Sequence, residues 1–392
     1  MMNERKPGII RDIAPFNVRG LAIPYAEFVP KLYNLCKSLG FESGYIMPSR
    51  AFCSDENQGF PIILISKHFG TFPFDHGRVG GIIATDRHGP HAGHGEDSVI
   101  VQASHVGYDP ATSVFGYCRR PKMHGDCISS SCGKISHVIQ PYLDQYIFAR
   151  QRIFLHRTDT GDHLITVKDS FIDFDTKPVT DGLVLRLHKV VKTTADNRIV
   201  PVATHCTSHT YEVSEDFRKR IDSTGYTWKG GVGEAINGHL CADLFFFREN
   251  LHETDDSVLL ERNLIEFMPV IVTHKSPALK AAKINIQMEF ARTVESIRRG
   301  TDYEGKNLLY VAGLNIDISA YQNYPETTYF VPWAAHVQLK DACPTEYIHP
   351  LEQEQLYAKL MQQSTTNADQ ISLKDEIDRM LRAPRYDIYT PR

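Results

Sequence analysis

The stretch from Asp75 to Asp109, DHGRVGGIIATDRHGPHAGHGEDSVIVQASHVGYD, sets two apolar runs, Gly81–Thr85 and Ser98–Ala103, around a segment of glycine, proline and histidine. Short Ile- and Val-rich runs bounded by Gly, Pro and Asp read as strands. Glycine lets backbone approach another group closely, and imidazole both ligates metals and titrates near neutral pH. Their concentration in one place marks a site rather than a core. His105 stands at the end of the second run, Cys53 (in CSDE) precedes the stretch, and Cys132 (in SSSCGK) follows it.

Upstream, residues 1–23 read as an extended arm. Pro24 to Gly40 places Phe28, Leu32, Leu35, Cys36 and Leu39 on one helical face, with Gly40 as a stop. Tyr45–Met47 and Phe60–Ser66 read as strands. Downstream, the segment from Gly133 (GKISHVIQPYLDQYIFARQRIF) has helical periodicity, with Pro141 marking a kink or break. Leu183–Val191 and Arg198–Ala203 read as strands, Tyr226–His239 as a second glycine-rich passage, and FMPVIVT as a buried strand. The clearest helix has Ser276 as cap, Pro277 in its first turn, a stripe of Ile286, Phe290, Val294 and Ile297, and Gly300 at its close. A strand over Leu308–Ala312 follows, then two polar helices, one over Leu356–Met361 and one capped by Ser372 and running through Leu381. Alternating strands and helices give an α/β class. The expected division is one domain over 24–200 and a second over 201–392.

The 392 residues are 42% hydrophobic and 23% charged, an ordinary globular balance. A formal charge of −4 and no long basic block argue against a nucleic-acid partner. The N-terminus lacks the apolar stretch of a signal peptide, and no apolar run approaches the roughly 20 residues that span a bilayer. The expectation is a soluble, cytoplasmic protein with no membrane partner. The eight cysteines then read as reduced thiols or metal ligands rather than as a disulfide framework.

Zinc favours thiolate and imidazole ligands, and a catalytic zinc keeps three protein ligands and one open position. Cys53 ends an apolar approach, YIMPSRAFC, and is followed by Ser54, Asp55 and Glu56, so carboxylates stand close to it. Cys132 precedes a predicted helix, where the dipole favours a thiolate. Taken singly, a cysteine or histidine is more often packed or capped than a ligand. Cys118, His124 and Cys127 form a rival set with Cys132, at irregular spacing. His88, His91 and His94 lie on a turn and have three readings: pocket wall or proton relay, a second metal site with Glu96 or Asp97, or a solvated loop. Gly230–Gly233 lacks the Lys-Ser/Thr of a phosphate loop, no serine elbow is present, and His205, Cys206 and His209 read as structural.

Taken together, CSDE, the Gly80–Gly81 strand, the Ala92–Gly93 turn, SHVGY and SSSCGK resemble the limiting-CO2-inducible B/C family of algae, diatoms and bacteria. That family consists of β-like (theta-type) carbonic anhydrases. The resemblance spans roughly residues 40–150, extending toward 200. It implies a β-carbonic-anhydrase-like mixed sheet flanked by helices; residues 201–392 lie outside the resemblance and read as an additional C-terminal α/β region. It implies zinc held by Cys53, His105 and Cys132, and reversible hydration of carbon dioxide to bicarbonate through a zinc-bound hydroxide. Asp55 would be a catalytic carboxylate, or would swing in as a fourth zinc ligand and close the site, and the chain would be a homodimer; Gly80 and Gly81 read from their own chemistry as pocket lining with the histidine cluster. Two departures stand out. The family's pattern does not carry the histidine-rich HGPHAGH of this chain. The β-class C-x-D-x-R pattern has an arginine where this chain has Asn57, so an arginine orienting Asp55 comes from elsewhere, with Arg87 the first candidate and Arg50 the second. Two other readings stand beside this one: a different zinc-dependent lyase or hydrolase on the same scaffold, and a non-catalytic CO2- or bicarbonate-sensing or assembly protein.

Overall fold

A computed structural model of the chain describes residues 14–83, 97–122, 125–168, 182–248, 255–300, 303–340 and 350–382, leaving out the side chains of residues 120–122, 125, 126, 255 and 256. Contacts group the chain into two units: Pro15–Cys132 with Ile286–Arg392, and Gly133–Asn285 with the segment ending at Ala14.

The first unit is built on a seven-stranded mixed sheet. At its centre Asp97–Asp109 and Leu308–Ile318 run parallel, from Ser98 opposite Leu308 to Tyr108 opposite Ile318. Ile46–Ala51 pairs parallel to the other edge of Asp97–Asp109, as far as Ala51 opposite Gln102, and Phe74–Asp75 lies parallel beyond it. Thr327–Gln338 adds antiparallel to Leu308–Ile318, Ile23–Pro24 closes that side, and Val114–Phe115 folds back on the end of the central strand. The two central strands are almost wholly buried, the pattern of parallel strands covered on both faces. That is why they read as continuous apolar runs, and why each polar residue in them calls for a partner.

One face carries the helix Tyr25–Ser38, which buries Phe28, Val29, Leu32, Leu35 and Cys36 in a cluster with Val99, Val101, Leu309, Val311 and Phe330. Phe28 stacks on Phe330 with centroids 4.0 Å apart. Each such side chain contributes about 1.5–3 kcal/mol of burial. Because successive strand residues face opposite ways, Tyr310 points to the other face, where Phe290 of the helix Pro277–Arg299 stacks on it at 5.3 Å. This is the mixed sheet flanked by helices that the sequence implied.

In the second unit an antiparallel sheet runs in the order Ala203–His205, Ser208–Glu212, His163–Lys168, Ile153–Arg157 and Glu234–Ala235. A separate pair joins Leu183–Leu185 to Phe245–Phe247, against which Tyr142 and Tyr146 of the helix Gly133–Arg150 pack. Among the described residues no helix is long and apolar enough to cross a membrane.

Several local expectations change. Phe60–Ser66 lies within the helix Gly59–Phe69, which ends at Gly70 with φ 77. A continuous apolar run fits a buried helix as well as a strand, and here Pro61 in the first turn and the Gly70 stop favour the helix. FMPVIVT is likewise helical, with a 3-10 turn over Ile265–Phe267 leading into Met268–Val272 and Pro269 in its first turn. The helix Gly133–Arg150 runs unbroken through Pro141. Leu183–Val191 is a strand only to Leu185, and the Arg198–Ala203 strand begins at Ala203. His105 lies inside its strand rather than at its end, since pairing continues to Asp109. Thr327–Gln338 was not expected, because Pro332 interrupts its pattern. The register shifts there, with Gly313 opposite Pro332, and an irregularity is where a strand tolerates a residue without an N–H. A side chain at Gly313 would stand 2.4 Å from the Val331 carbonyl, so only glycine fits beneath the shift.

Candidate metal centre

Three separate segments of the first unit deliver three ligand-type atoms to one point. Cys53 follows the end of Ile46–Ala51, and the backbone there is crowded: a Cβ on Gly77 would lie 2.2 Å from the Phe52 carbonyl oxygen. His105 projects from the central strand, on the same face as Val101 and Ala103. Cys132 follows the hairpin of Tyr117–Lys122 and Gly125–Ser130. The preceding residue, Ser131, is fixed by its backbone: its carbonyl accepts from Gly107 N at 2.7 Å and its N–H donates to Gly116 O at 3.0 Å. A Cβ on Gly107 would meet the Tyr117 carbonyl at 2.5 Å, so this approach also requires glycine.

The cysteine sulfurs and an imidazole nitrogen lie within 4.8 Å of one another. All three residues are buried, at 4% exposure for Cys53, 0% for His105 and 2% for Cys132. Among the described residues this is the group whose atoms could hold a metal ion. Two independent observations fit one. Thiolates bound at about 2.3 Å around a tetrahedral ion stand about 3.8 Å apart, and the Cys53 and Cys132 sulfurs are 3.8 Å apart. His105 Nε2 is buried with no hydrogen-bond partner. Such an orphan costs about 1–3 kcal/mol unless something occupies it.

The other ring nitrogen explains which way the imidazole faces. His105 Nδ1 lies 2.8 Å from Asp317 Oδ2, and Asp317 is fully buried on the adjacent strand. Asp317 also accepts from Gln58 Nε2 at 3.1 and 3.3 Å, from Ser131 Oγ at 3.2 Å and from Thr328 Oγ1 at 3.2 Å. An ionised carboxylate only accepts, so the proton of neutral His105 sits on Nδ1 and the Nε2 lone pair faces the sulfurs. This is the carboxylate–histidine arrangement that orients metal ligands. The chain of contacts goes further: Asn315 Nδ2 donates to Gln58 Oε1 at 2.5 Å, and Tyr25 OH donates to Asn315 Oδ1 at 2.7 Å. Every hydrogen-bonding atom of the Gln58 amide on this path is thereby assigned.

The electrostatics of the three side chains follow from the same contacts. The Cys132 thiol beside it holds the Cys53 thiol down to about 3, against burial, with help from His105 and the Gly80 N–H at 3.2 Å. Cys132 moves up, through the same shared hydrogen bond and burial. Burial pushes His105 down, but the negative charge of the adjoining sulfur pair and the bond to Asp317 outweigh it and leave His105 well above its ordinary value.

Asp55 stands at the rim, its Oδ2 3.9 Å from His105 Nε2, while its other oxygen caps the turn Glu56–Gln58 through Asn57 N. Asn57 Nδ2 points to Ser131 Oγ at 3.5 Å. The structure thus brings together Cys53, His105, Cys132, Asp55 and Gly80. Gly81 packs beside them, with a Cβ there 2.2 Å from the Ala103 carbonyl. Arg87, His88, His91, His94 and Glu96 lie outside the described residues, as does His124 of the rival set. Of that set, Cys118 contacts Ser319 Oγ at 3.6 Å. Arg50, the second candidate partner for Asp55, pairs with Asp75 at 2.7 Å. Cys206 is exposed at the turn between Ala203–His205 and Ser208–Glu212, where His209 contacts Thr204.

Asp317, Gln58, Asn315 and Tyr25 were not expected from the sequence. A signal for two of them was present: in LLYVAGLNIDI, Asn315 and Asp317 are polar residues two apart in an apolar strand, hence on one buried face.

The fold and site together define a mixed α/β chain with a buried Cys–His–Cys group that could hold a metal. No family model and no curated protein matches the chain. Solved structures similar to it include a limiting-CO2-inducible protein and a homolog of that protein. PtLCIB4, a homolog of the limiting CO2-inducible protein LCIB, is 12% identical and covers 85% of this chain and 95% of its own, with TM-score 0.45. Its H88A mutant gives 10% identity, 82% and 91% coverage and TM-score 0.46. LCIB itself gives 10%, 83% and 93%, and 0.42.

Proposed function

We propose that this chain is a carbonic-anhydrase-like lyase, hydrating carbon dioxide reversibly to bicarbonate with zinc held by Cys53, His105 and Cys132. The observation that carries the reading is the orphaned, buried His105 Nε2 facing two sulfurs at the spacing of zinc-bound thiolates. A zinc ion there supplies Lewis acidity, which brings water's pKa into the neutral range.

The chain's own residues do the rest. Asp317 holds the proton on His105 Nδ1 and so keeps Nε2 a lone-pair donor. The two sulfurs neutralise a divalent charge in a buried site. Asp55, an acceptor when ionised, would accept a hydrogen bond at Oδ2 from the reacting water and so orient it. Gly80 and Gly81 keep the wall thin beside a substrate of three atoms. Arg87 would orient Asp55, and His88, His91 and His94 would line the pocket or relay the released proton. A homodimer in the cytoplasm belongs to this reading as well.

Stopped-flow hydration of carbon dioxide tests it. Zinc-loaded wild type should exceed buffer by orders of magnitude, and Cys53→Ser should lose that excess. A zinc-loaded wild type no faster than buffer would overturn the reaction assigned, and full activity in Cys53→Ser would overturn the ligand set.

A further inference from the structure

We propose that Glu289, on the helix Pro277–Arg299, is a positioning residue for the Cys53 sulfur, acting through the backbone of residues 79–83. The inference rests on the metal reading above and adds a control point on the opposite face of the sheet.

The Gly80 N–H donates to Cys53 Sγ at 3.2 Å. Gly80 and Gly81 both have φ 78. Two successive glycines in the left-handed region have no side chains to fix them, and glycine loses the most conformational freedom on ordering. The direction of this N–H must therefore be held from elsewhere. Pairing of Gly77–Arg78 with Ile82–Ile83 closes the turn, and three side chains hold that turn from behind. Gln102 Nε2 donates to Gly81 O at 3.0 Å, Glu289 Oε2 accepts from Ile83 N at 2.9 Å, and Arg292 donates to Ile83 O at 2.9 Å. They are themselves joined, since Arg292 pairs with Glu289 Oε2 at 2.6 Å and Gln102 Nε2 approaches the same oxygen at 3.4 Å. Tyr310 OH in turn donates to Gln102 Oε1.

Gln102 and Tyr310 point away from His105 by strand alternation, so this cluster sits behind the sheet while the ligands sit in front. The segment crosses between the faces beside Ala103, one residue past the last pairing of Ile46–Ala51. Glu289 is 1% exposed, on a helix face that also buries Asn285 and Thr293 beside Ile286, Phe290, Val294 and Ile297. A buried carboxylate there costs stability relative to another apolar residue unless its partners compensate. Its one oxygen receives the Ile83 N–H, Arg292 and Gln102 together, and so ties down the chain at the Gly81 carbonyl and at Ile83. A held N–H beside a thiolate is a charge-assisted hydrogen bond, and such outer contacts set metal affinity.

The test uses the full chain. In the metal-free protein, Glu289→Ala should speed amide exchange of residues 79–83. Loaded with cobalt(II), the same variant should shift the thiolate-to-cobalt charge-transfer band and lose about 10–100-fold in chelator-competed affinity. Glu289→Gln keeps an oxygen where all three donors converge and should restore most of both. Val294→Ala, an apolar truncation on the same helix, should change neither readout and so separates positioning from general loosening. Faster exchange with an unchanged cobalt band and affinity would overturn the proposal, as would unchanged exchange. Wild type that takes up no cobalt through thiolates would instead overturn the metal reading and this coupling with it, a failure told apart because exchange is read without metal.

Discussion

Replacing Asp317 with asparagine keeps the volume and removes one acceptor oxygen from a group that uses both. In the native arrangement Oδ2 accepts from His105 Nδ1 and Ser131 Oγ, and Oδ1 accepts from Gln58 Nε2 and Thr328 Oγ1. If the asparagine oxygen stays with His105, its NH2 faces the Gln58 NH2. Gln58 cannot turn over without losing the 2.5 Å bond from Asn315, whose own orientation is set by Tyr25. If the asparagine turns instead, its NH2 faces His105 Nδ1, the proton moves to Nε2, and the ligand lone pair is lost. Either way one buried polar group goes unsatisfied, a loss of about 1–3 kcal/mol in stability. Zinc affinity should fall by about 10–100-fold, the usual effect of removing the partner of a ligating histidine. Competition with a chromophoric chelator measures the affinity, and urea unfolding of the metal-free chain measures the stability. Affinity within twofold of wild type would refute the claim that Asp317 sets the histidine.

Other perturbations follow from the same contacts. His105 in the metal-free chain lies well above its ordinary 6.5, so at neutral pH a metal must displace its proton. Zinc affinity should therefore rise with pH across 6–8 and uptake should release protons, measurable by titration calorimetry in buffers of different ionisation enthalpy; pH-independent affinity would contradict this. By linkage, the proton on His105 stabilises the metal-free fold fully below about 6.5, and that contribution is lost as pH rises through the raised folded value. Gly81→Ala puts a Cβ 2.2 Å from the Ala103 carbonyl at φ 78, and should cost at least about 1–2 kcal/mol by urea midpoint. Arg50→Ala removes a pair with half-exposed Asp75, so it should change stability by less than about 1 kcal/mol and leave hydration activity intact; a large loss of activity would make Arg50 the partner of Asp55.

The sequence made some of this legible and hid the rest for physical reasons. The helices Tyr25–Ser38 and Pro277–Arg299 showed in their apolar stripes and stop glycines, because local periodicity and caps determine them. Phe60–Ser66 and FMPVIVT did not, because a short continuous apolar run has no period to distinguish helix from strand. The three sulfur and nitrogen ligands could be picked out only by motif, since their spacings are long and irregular. Asp317 could not be paired with His105 from the sequence. The two meet through parallel pairing of strands far apart in the chain, and parallel register leaves no hairpin or turn signal to read.

The most direct test of the central claim is X-ray absorption at the zinc edge on the zinc-loaded chain. Two sulfur scatterers at about 2.3 Å and one imidazole nitrogen at about 2.0–2.1 Å, with one sulfur lost in Cys53→Ser, is the result expected. A shell of oxygen and nitrogen alone, or one unchanged by Cys53→Ser, would contradict the assignment of the metal to Cys53, His105 and Cys132.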